Sequence, residues 1–155
     1  DTTDRAMADA FSDGRLESMK MRDRIRALVG FRLEAVAGRE EALRRAIAIM
    51  AMPQNAKAAL KRGWRSADLM WRLAGDTATD LNHYSKRATL SAIFAATLAV
   101  LVDDHSEGKA DTLAFLDRRI DGIIRFEKAK AQFVRPADEH FSMAPFLGRL
   151  RHPAR

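Results

Sequence analysis

A chain of 155 residues, 47 % apolar and 31 % charged, is one ordinary domain with enough apolar side chains for a real core, which argues against a disordered polymer. The absence of cysteine excludes disulfides and thiolate metal sites and fits a reducing compartment. A net charge of +6, from 27 basic and 21 acidic residues, favours anionic partners, although the basic residues are interspersed with acidic ones and form no long tract.

Taken in order, the chain reads as helix throughout, and the expected fold class is all-α. A short polar-faced segment, Asp4 to Phe11, breaks near Gly14. From Leu16 to Val36 the spacing of Met21, Ile25, Leu28, Leu33 and Val36 marks one helical face. Gly38 is a stop, and Arg39-Glu40-Glu41 opens the next helix with acid in its first turn. Leu43, Ala46, Ile47 and Met50 give that helix its apolar side. Pro53 ends it, lacking an amide hydrogen and biasing its predecessor away from helix. A fourth helix runs to about Leu73 with Leu60, Trp64, Ala67 and Trp71 on one face. After a break at Gly75 to Thr79, Thr79 or Asp80 caps a fifth helix that ends at Asp103-Asp104. Gly108 marks a loop. A sixth helix, from about Ala110 to Gln132, turns Leu113, Leu116, Ile120 and Ile123 inward. No strand alternation, internal repeat or low-complexity segment interrupts this pattern.

The fifth helix is unusual. Its first turns are polar, with Asn82, His83, Lys86 and Arg87, and its last four turns, Ala88 to Val102, carry no charge in fifteen residues. That run falls short of the roughly 20 apolar residues that cross a bilayer. An amphipathic surface helix would not be apolar all round. Such a helix fits the middle of a bundle, or the wall of a pocket shared with Met70 and Phe115, where Ala92, Ala95, Ala96 and Ala99 leave space.

Reaction chemistry finds little support. Ser85 lies two residues from His83 and does not face it on a helix. His83 with Asp76 or Asp80 falls short of a di-iron set, which needs Glu-x-x-His pairs on two helices, and no Glu-x-x-His occurs in the chain. Asp103 and Asp104 end a helix, where loop solvation is the ordinary explanation. No catalytic residue, metal or cofactor is expected, and the chain is read as a non-enzyme. The C-terminal stretch is distinct: Phe141, Met143, Phe146, Leu147 and Leu150 are interleaved with Arg149, Arg151 and Arg155, and no acidic residue occurs from Phe141 on. With Pro145 in a first turn, this is a short basic amphipathic segment suited to an anionic membrane surface, the alternative being a tail folded back on the domain.

Two blocks, WRSADLMWRLAGDTATDLNHYSKRATLSAIFAATL from Trp64 and DDHSEGKADTLAFLDRRIDGIIRFEKAKAQ from Asp103, together with the MPQN turn at Met52 and the final FLGRLRHPAR, resemble bacterial members of the ubiquinone (coenzyme Q) biosynthesis accessory lipid-binding family. The resemblance covers most of the chain from about Met21. It implies a helical bundle like the ligand-binding domain of tetracycline-repressor-type regulators, over residues 1–134, followed by a tail over 135–155. The chain starts DTTDRAMADAF, with neither an initiator Met nor a signal-peptide layout, and a helix-turn-helix-like portion is expected upstream. The implied function is to bind an isoprenoid lipid or ubiquinone intermediate in an apolar cavity and present it to a di-iron demethoxyubiquinone hydroxylase. The implied setting is a homodimer in the cytoplasm, peripheral on the inner face of the cell membrane, with no nucleic-acid partner. The alternative is the ligand-sensing domain of a repressor-type transcription regulator.

Site residues follow from that resemblance. Met50, Trp64, Met70, Trp71, Leu90, Ile93, Phe94, Leu98, Leu101, Phe115, Leu116 and Ile120 are the candidates for lipid binding. Asp68, Met70, Trp71, Asp76, Asp80, Leu81, Asn82, His83, Tyr84 and Arg87 are the candidates for partner docking, the bland alternative being that Asp76 and Asp80 cap helices and Arg87 pairs with them. Tyr84→Ala or Arg87→Glu is expected to weaken docking without lowering the melting temperature. Phe141, Met143, Phe146, Leu147, Arg149, Leu150 and Arg151 are the candidates for membrane contact. The sequence departs from the family at Leu81, His83 and Leu113, where aromatic residues are usual, and near Val100, where one is common.

Overall fold

A computed structural model describes residues 2–133. Among them are six α-helices and no strand: α1 (Thr2–Ala10), α2 (Met21–Glu34), α3 (Glu40–Met50), α4 (Ala56–Leu73), α5 (Leu81–Asp103) and α6 (Ala110–Phe133). The all-α reading holds. Residues 1–124 form one compact unit, and Arg125 begins a second, of which the end of α6 is described. The expected boundary at 134 and the membrane-contact candidates Phe141 to Arg151 lie outside the described residues.

Local chemistry sets most of the helix ends. Asp80, in extended backbone, accepts a hydrogen bond from the Asn82 amide at 2.9 Å and caps α5. Pro53 stops α3 and starts a 3-10 turn, Pro53–Asn55, before α4. At the end of α4, Gly75 takes φ +87. Its amide donates to the Arg72 carbonyl at 3.0 Å, and the Asp76 amide donates to the Trp71 carbonyl at 2.9 Å. This is a Schellman ending, which needs a left-handed residue and therefore favours glycine. The second helix begins later than the spacing predicts. Leu16 is buried, but in a turn that precedes α2, and Arg24 secures that turn by donating to the Met19, Glu17 and Ala74 carbonyls.

One core joins the helices. Met7 of α1, Ile25, Leu28 and Val29 of α2, Met70 and Trp71 of α4, Leu90 and Leu101 of α5, and Leu116 and Ile120 of α6 are all buried in it. Each such side chain stabilises the fold by about 1.5–3 kcal/mol relative to exposure. The most extensive helix pairing is α4 with α5, a hairpin closed by residues 75–80, and α3 lies against α5 as well. Arg22 and Arg26 of α2 pair with Asp121 and Asp117 of α6, with closest approaches of 2.5 and 2.6 Å.

Three expectations need correction. Leu60, placed inward by the α4 stripe, is 75 % exposed, because burial on that face begins only near Ser66 and Ala67. Nor is α5 a helix buried on all sides. Leu90, Thr97, Leu101 and Val102 are buried, whereas Ala88, Ala92, Ala95, Ala96 and Ala99 are exposed. By length and composition its 23 residues are long and apolar enough to cross a membrane, although the uncharged run is shorter.

Asp103 and Asp104 also part company. Asp103 is solvated and pairs with Arg44 at 2.8 Å, whereas Asp104 is 5 % exposed. Its carboxylate accepts from the amides of Ser106 and Thr112, both at 2.8 Å, and from both hydroxyls. These donors hold its pKa far below the ordinary 3.8. Buried amides left without an acceptor destabilise a fold. Asp104→Ala is therefore expected to lower the melting temperature, followed by circular dichroism, by several degrees. Asp103→Ala, which removes only an exposed pair, should move it far less.

Candidate functional site

Two features stand out within the first unit: a cavity and a buried ionic cluster beneath an exposed aromatic edge. The cavity measures about 730 Å³, a size ordinary for small-molecule sites. Val36, Ile47, Met50, Ala59, Phe94 and Leu98 supply apolar wall, and Ala95, Gly63 and Ser91 supply room. Gly63 matters here. A β-carbon at that position would lie 3.7 Å from the Ser91 β-carbon, so α4 and α5 approach closely at two small residues.

Charge sits on the same wall. Arg32, with a side chain only 10 % exposed, donates to Asp4 at 2.5 Å and lies 5.3 Å over the Phe94 ring, a cation–π contact. Its Nε is buried without a hydrogen-bond partner. Arg62 and Arg65 also line the cavity. The site is thus apolar in the main with a cationic portion, which suits a ligand of largely hydrocarbon character with a polar end.

The lipid-binding candidates divide. Met50, Phe94 and Leu98 reach the cavity wall. Met70, Trp71, Leu90, Leu101, Leu116 and Ile120 are packed in the core, and Ile93 packs against it. Trp64 is half-buried beside Tyr84, and Phe115 lies under Arg119 at 4.9 Å. Asp4, Arg32, Val36, Ile47, Arg62, Arg65 and Ser91 line the cavity without having been among the lipid-binding candidates, although Val36 and Ile47 were expected on apolar helix faces. The available signal was the run of alanines on α5, Ala92, Ala95, Ala96 and Ala99, of which Ala95 lines the cavity.

The docking candidates divide as sharply. Arg87 is 2 % exposed, with Nε 2.6 Å from Asp68 and Nη1 3.1 Å from Asp76. Lys86 reaches the other Asp76 oxygen at 2.8 Å, and Arg72 pairs with Asp68. Burial opposes ionisation of Asp68 and Asp76. Hydrogen bonds from Arg87 to both, from Arg72 to Asp68 and from Lys86 to Asp76, with the charges of these cations, outweigh it and lower both pKa values. Met70 and Trp71 are in the core, and the Trp71 indole donates to the Lys86 carbonyl at 3.0 Å. Asp80 is the cap. His83 Nδ1 lies 2.9 Å from the Ala78 carbonyl oxygen. Exposure is left mainly to Leu81 (77 %) and Tyr84 (59 %), and the Tyr84 ring lies 6.0 Å from Trp64 and 5.1 Å from His83.

A match to the COQ9 family model covers residues 56–127, from the start of α4 into α6. Over this segment the chain belongs to the COQ9 family. It is 37 % identical over 107 residues to the mitochondrial ubiquinone biosynthesis protein COQ9 of Rattus norvegicus, covering 69 % of this chain and 34 % of that protein. Identity to the Homo sapiens protein of the same name is 36 % over 107 residues, with the same coverage. For the Drosophila melanogaster COQ9 protein it is 31 % over 101 residues, covering 65 % of this chain and 31 % of that protein. The chain spans about a third of the length of these curated relatives. The COQ9 segment holds the whole ionic cluster, the Tyr84 edge and the α4–α5 part of the cavity wall, whereas Asp4, Arg32, Val36, Ile47 and Met50 lie before it.

The burial of Arg87 changes one expectation: its substitution is expected to lower stability. Arg87→Leu leaves Asp68 and Asp76 without their buried partner and is expected to cost about 3–5 kcal/mol in denaturant unfolding. The sign with pH follows from the lowered pKa values. Their stabilisation is complete above the ordinary carboxylate pKa of 3.8 and is lost as pH falls below it. In Arg87→Leu, Asp68 keeps Arg72 and Asp76 keeps Lys86, but burial is offset less than before, and the acid-unfolding midpoint should move to higher pH, as read by circular dichroism.

Proposed function

We propose that this chain serves ubiquinone biosynthesis as a lipid-binding accessory protein that carries no reaction of its own. The observation that carries the reading is the cavity of about 730 Å³, walled in large part by residues of the COQ9 segment and apolar apart from a cationic portion. An isoprenoid chain gains by leaving water for such a wall, at roughly 25 cal/mol per Å² of apolar surface buried. The ring or head of the ligand then lies within reach of Arg32, Arg62 or Arg65.

Presentation is the mechanism. The fold holds the isoprenoid portion while the exposed Leu81–Tyr84 edge meets a hydroxylase acting on a demethoxyubiquinone-type intermediate at a membrane surface. Tyrosine is a favoured interface anchor, and here a buried ionic cluster underlies it. In this reading the protein is cytoplasmic, peripheral on the inner membrane face and paired with a second copy.

Lipid extraction and mass spectrometry of the protein purified from a ubiquinone-producing host test the cavity. Quinone or polyprenyl species should be recovered at near-stoichiometric amounts. Ala95→Trp, which fills the cavity from an exposed position of α5, should lose them at an unchanged melting temperature. A wild-type protein that is folded but empty would refute lipid carriage. For docking, Tyr84→Ala should reduce hydroxylase capture in pull-down by about tenfold or more, the scale of an aromatic hot spot. Stability should stay close to wild type, since the side chain is 59 % exposed.

A further inference from the structure

The corner between α3 and α4 has no role in the docking edge, yet it collects large apolar side chains in solvent. Ile49 is 54 % exposed, Met52 44 % and Leu60 75 %. Asn55 braces the corner by donating through Nδ2 to the Ile49 carbonyl at 2.8 Å and through its amide to the Met52 carbonyl at 2.9 Å. The apolar tip is therefore presented by a hydrogen-bonded turn.

Along the sequence, the charge of this corner has one sign. Between Glu41 and Asp68 there is no acidic residue, while Arg44, Arg45, Lys57, Lys61, Arg62 and Arg65 supply six basic ones. Arg44 and Arg45 are paired with Glu41, and Arg44 also with Asp103. Lys57, Lys61, Arg62 and Arg65 are exposed and join no ion pair among the described residues. Exposed apolar groups bordered by unpaired cations match an anionic bilayer, which accepts the first into its acyl boundary and attracts the second. Met50, Ala51, Ala59 and Arg62 of this corner also line the cavity.

We propose that the α3–α4 corner docks on anionic lipid bilayers, setting the cavity wall against the membrane from which its ligand is drawn. The proposal rests on the membrane role put forward above, but on a different segment of the sequence from the C-terminal tail. Because the chain has no cysteine, a single thiol can report on it. In the full chain, Met52→Cys carries an environment-sensitive fluorophore, and Arg118→Cys, at an exposed position of α6, carries the control.

With phosphatidylcholine vesicles containing phosphatidylglycerol, emission at position 52 should shift to the blue and emission at 118 should stay unchanged. Phosphatidylcholine alone should give no shift at either position. Adding Lys57→Gln and Lys61→Gln should weaken partitioning by about thirtyfold, the effect of removing two cations near such a surface. A probe at 52 that stays in water on vesicle-bound protein would overturn the corner and leave a tail-anchored carrier standing. Equal shifts at both positions would overturn it too, as would a shift at 52 produced by protein concentration alone, which would assign the face to a second copy of the chain.

Discussion

A guanidinium excluded from water has to be matched, and the region between α4 and α5 is arranged around that requirement. Arg87 sits at 2 % exposure with Asp68 on one side and Asp76 on the other. Removing charges from water costs several kcal/mol per ion, and only close, hydrogen-bonded partners offset it. Asp68 comes from the last turns of α4. Asp76 comes from the residue that follows Gly75, and it reaches Arg87 because the left-handed Gly75 reverses the chain there. The helix ending and the ionic cluster are therefore one construction. With the two carboxylates in place, the start of α5 has little freedom in register, and Tyr84, one turn before Arg87, is set on the outer side.

The extent of the fold that could be read in the sequence follows from which forces are local. Caps and breakers act within a few residues, so the Asp80 cap, the Pro53 stop and the glycine-bearing breaks were legible. Burial depends on what arrives from elsewhere. The stripe Leu60, Trp64, Ala67, Trp71 is a correct helical face, yet only its second half meets the core. Asp103 and Asp104 are adjacent and chemically identical. Only the return of Ser106 and Thr112 over one of them separates a solvated carboxylate from a buried acceptor.

The site was less legible than the fold for the same reason. Half of the twelve apolar residues that the family resemblance places at the ligand, Met70, Trp71, Leu90, Leu101, Leu116 and Ile120, lie in the core. A cavity needs atoms to be missing on one side, and that depends on how residues of different helices, such as Ile47, Met50, Phe94 and Leu98, are set against one another, not on a single helix. Likewise Arg32 belongs to the cavity through Asp4 and Phe94, which lie 28 residues before it and 62 after it in the chain. A helix that is apolar on every side, as α5 is over its last turns, carries no signal of which side meets which neighbour.

That ambiguity has a physical use in α5. Leu90, Thr97 and Leu101 face the core, Ser91, Phe94, Ala95 and Leu98 face the cavity, and Ala88, Ala92, Ala96 and Ala99 face out. One helix thus serves three environments, and the composition fits each of them. Large branched residues fill the core, where an unfilled volume would be costly. Small ones at the cavity keep it open, since a bulky side chain at Ala95 would occupy it. Alanine is also the residue that loses least on an exposed helical face, having little apolar area and the best helix propensity. A helix made apolar throughout for the sake of the cavity can then remain water-exposed along its outer edge, provided that edge is alanine. The same substitutions that leave room for a ligand keep the exposed side tolerable, so the open cavity and the alanine edge are consequences of a single choice of small residues along α5.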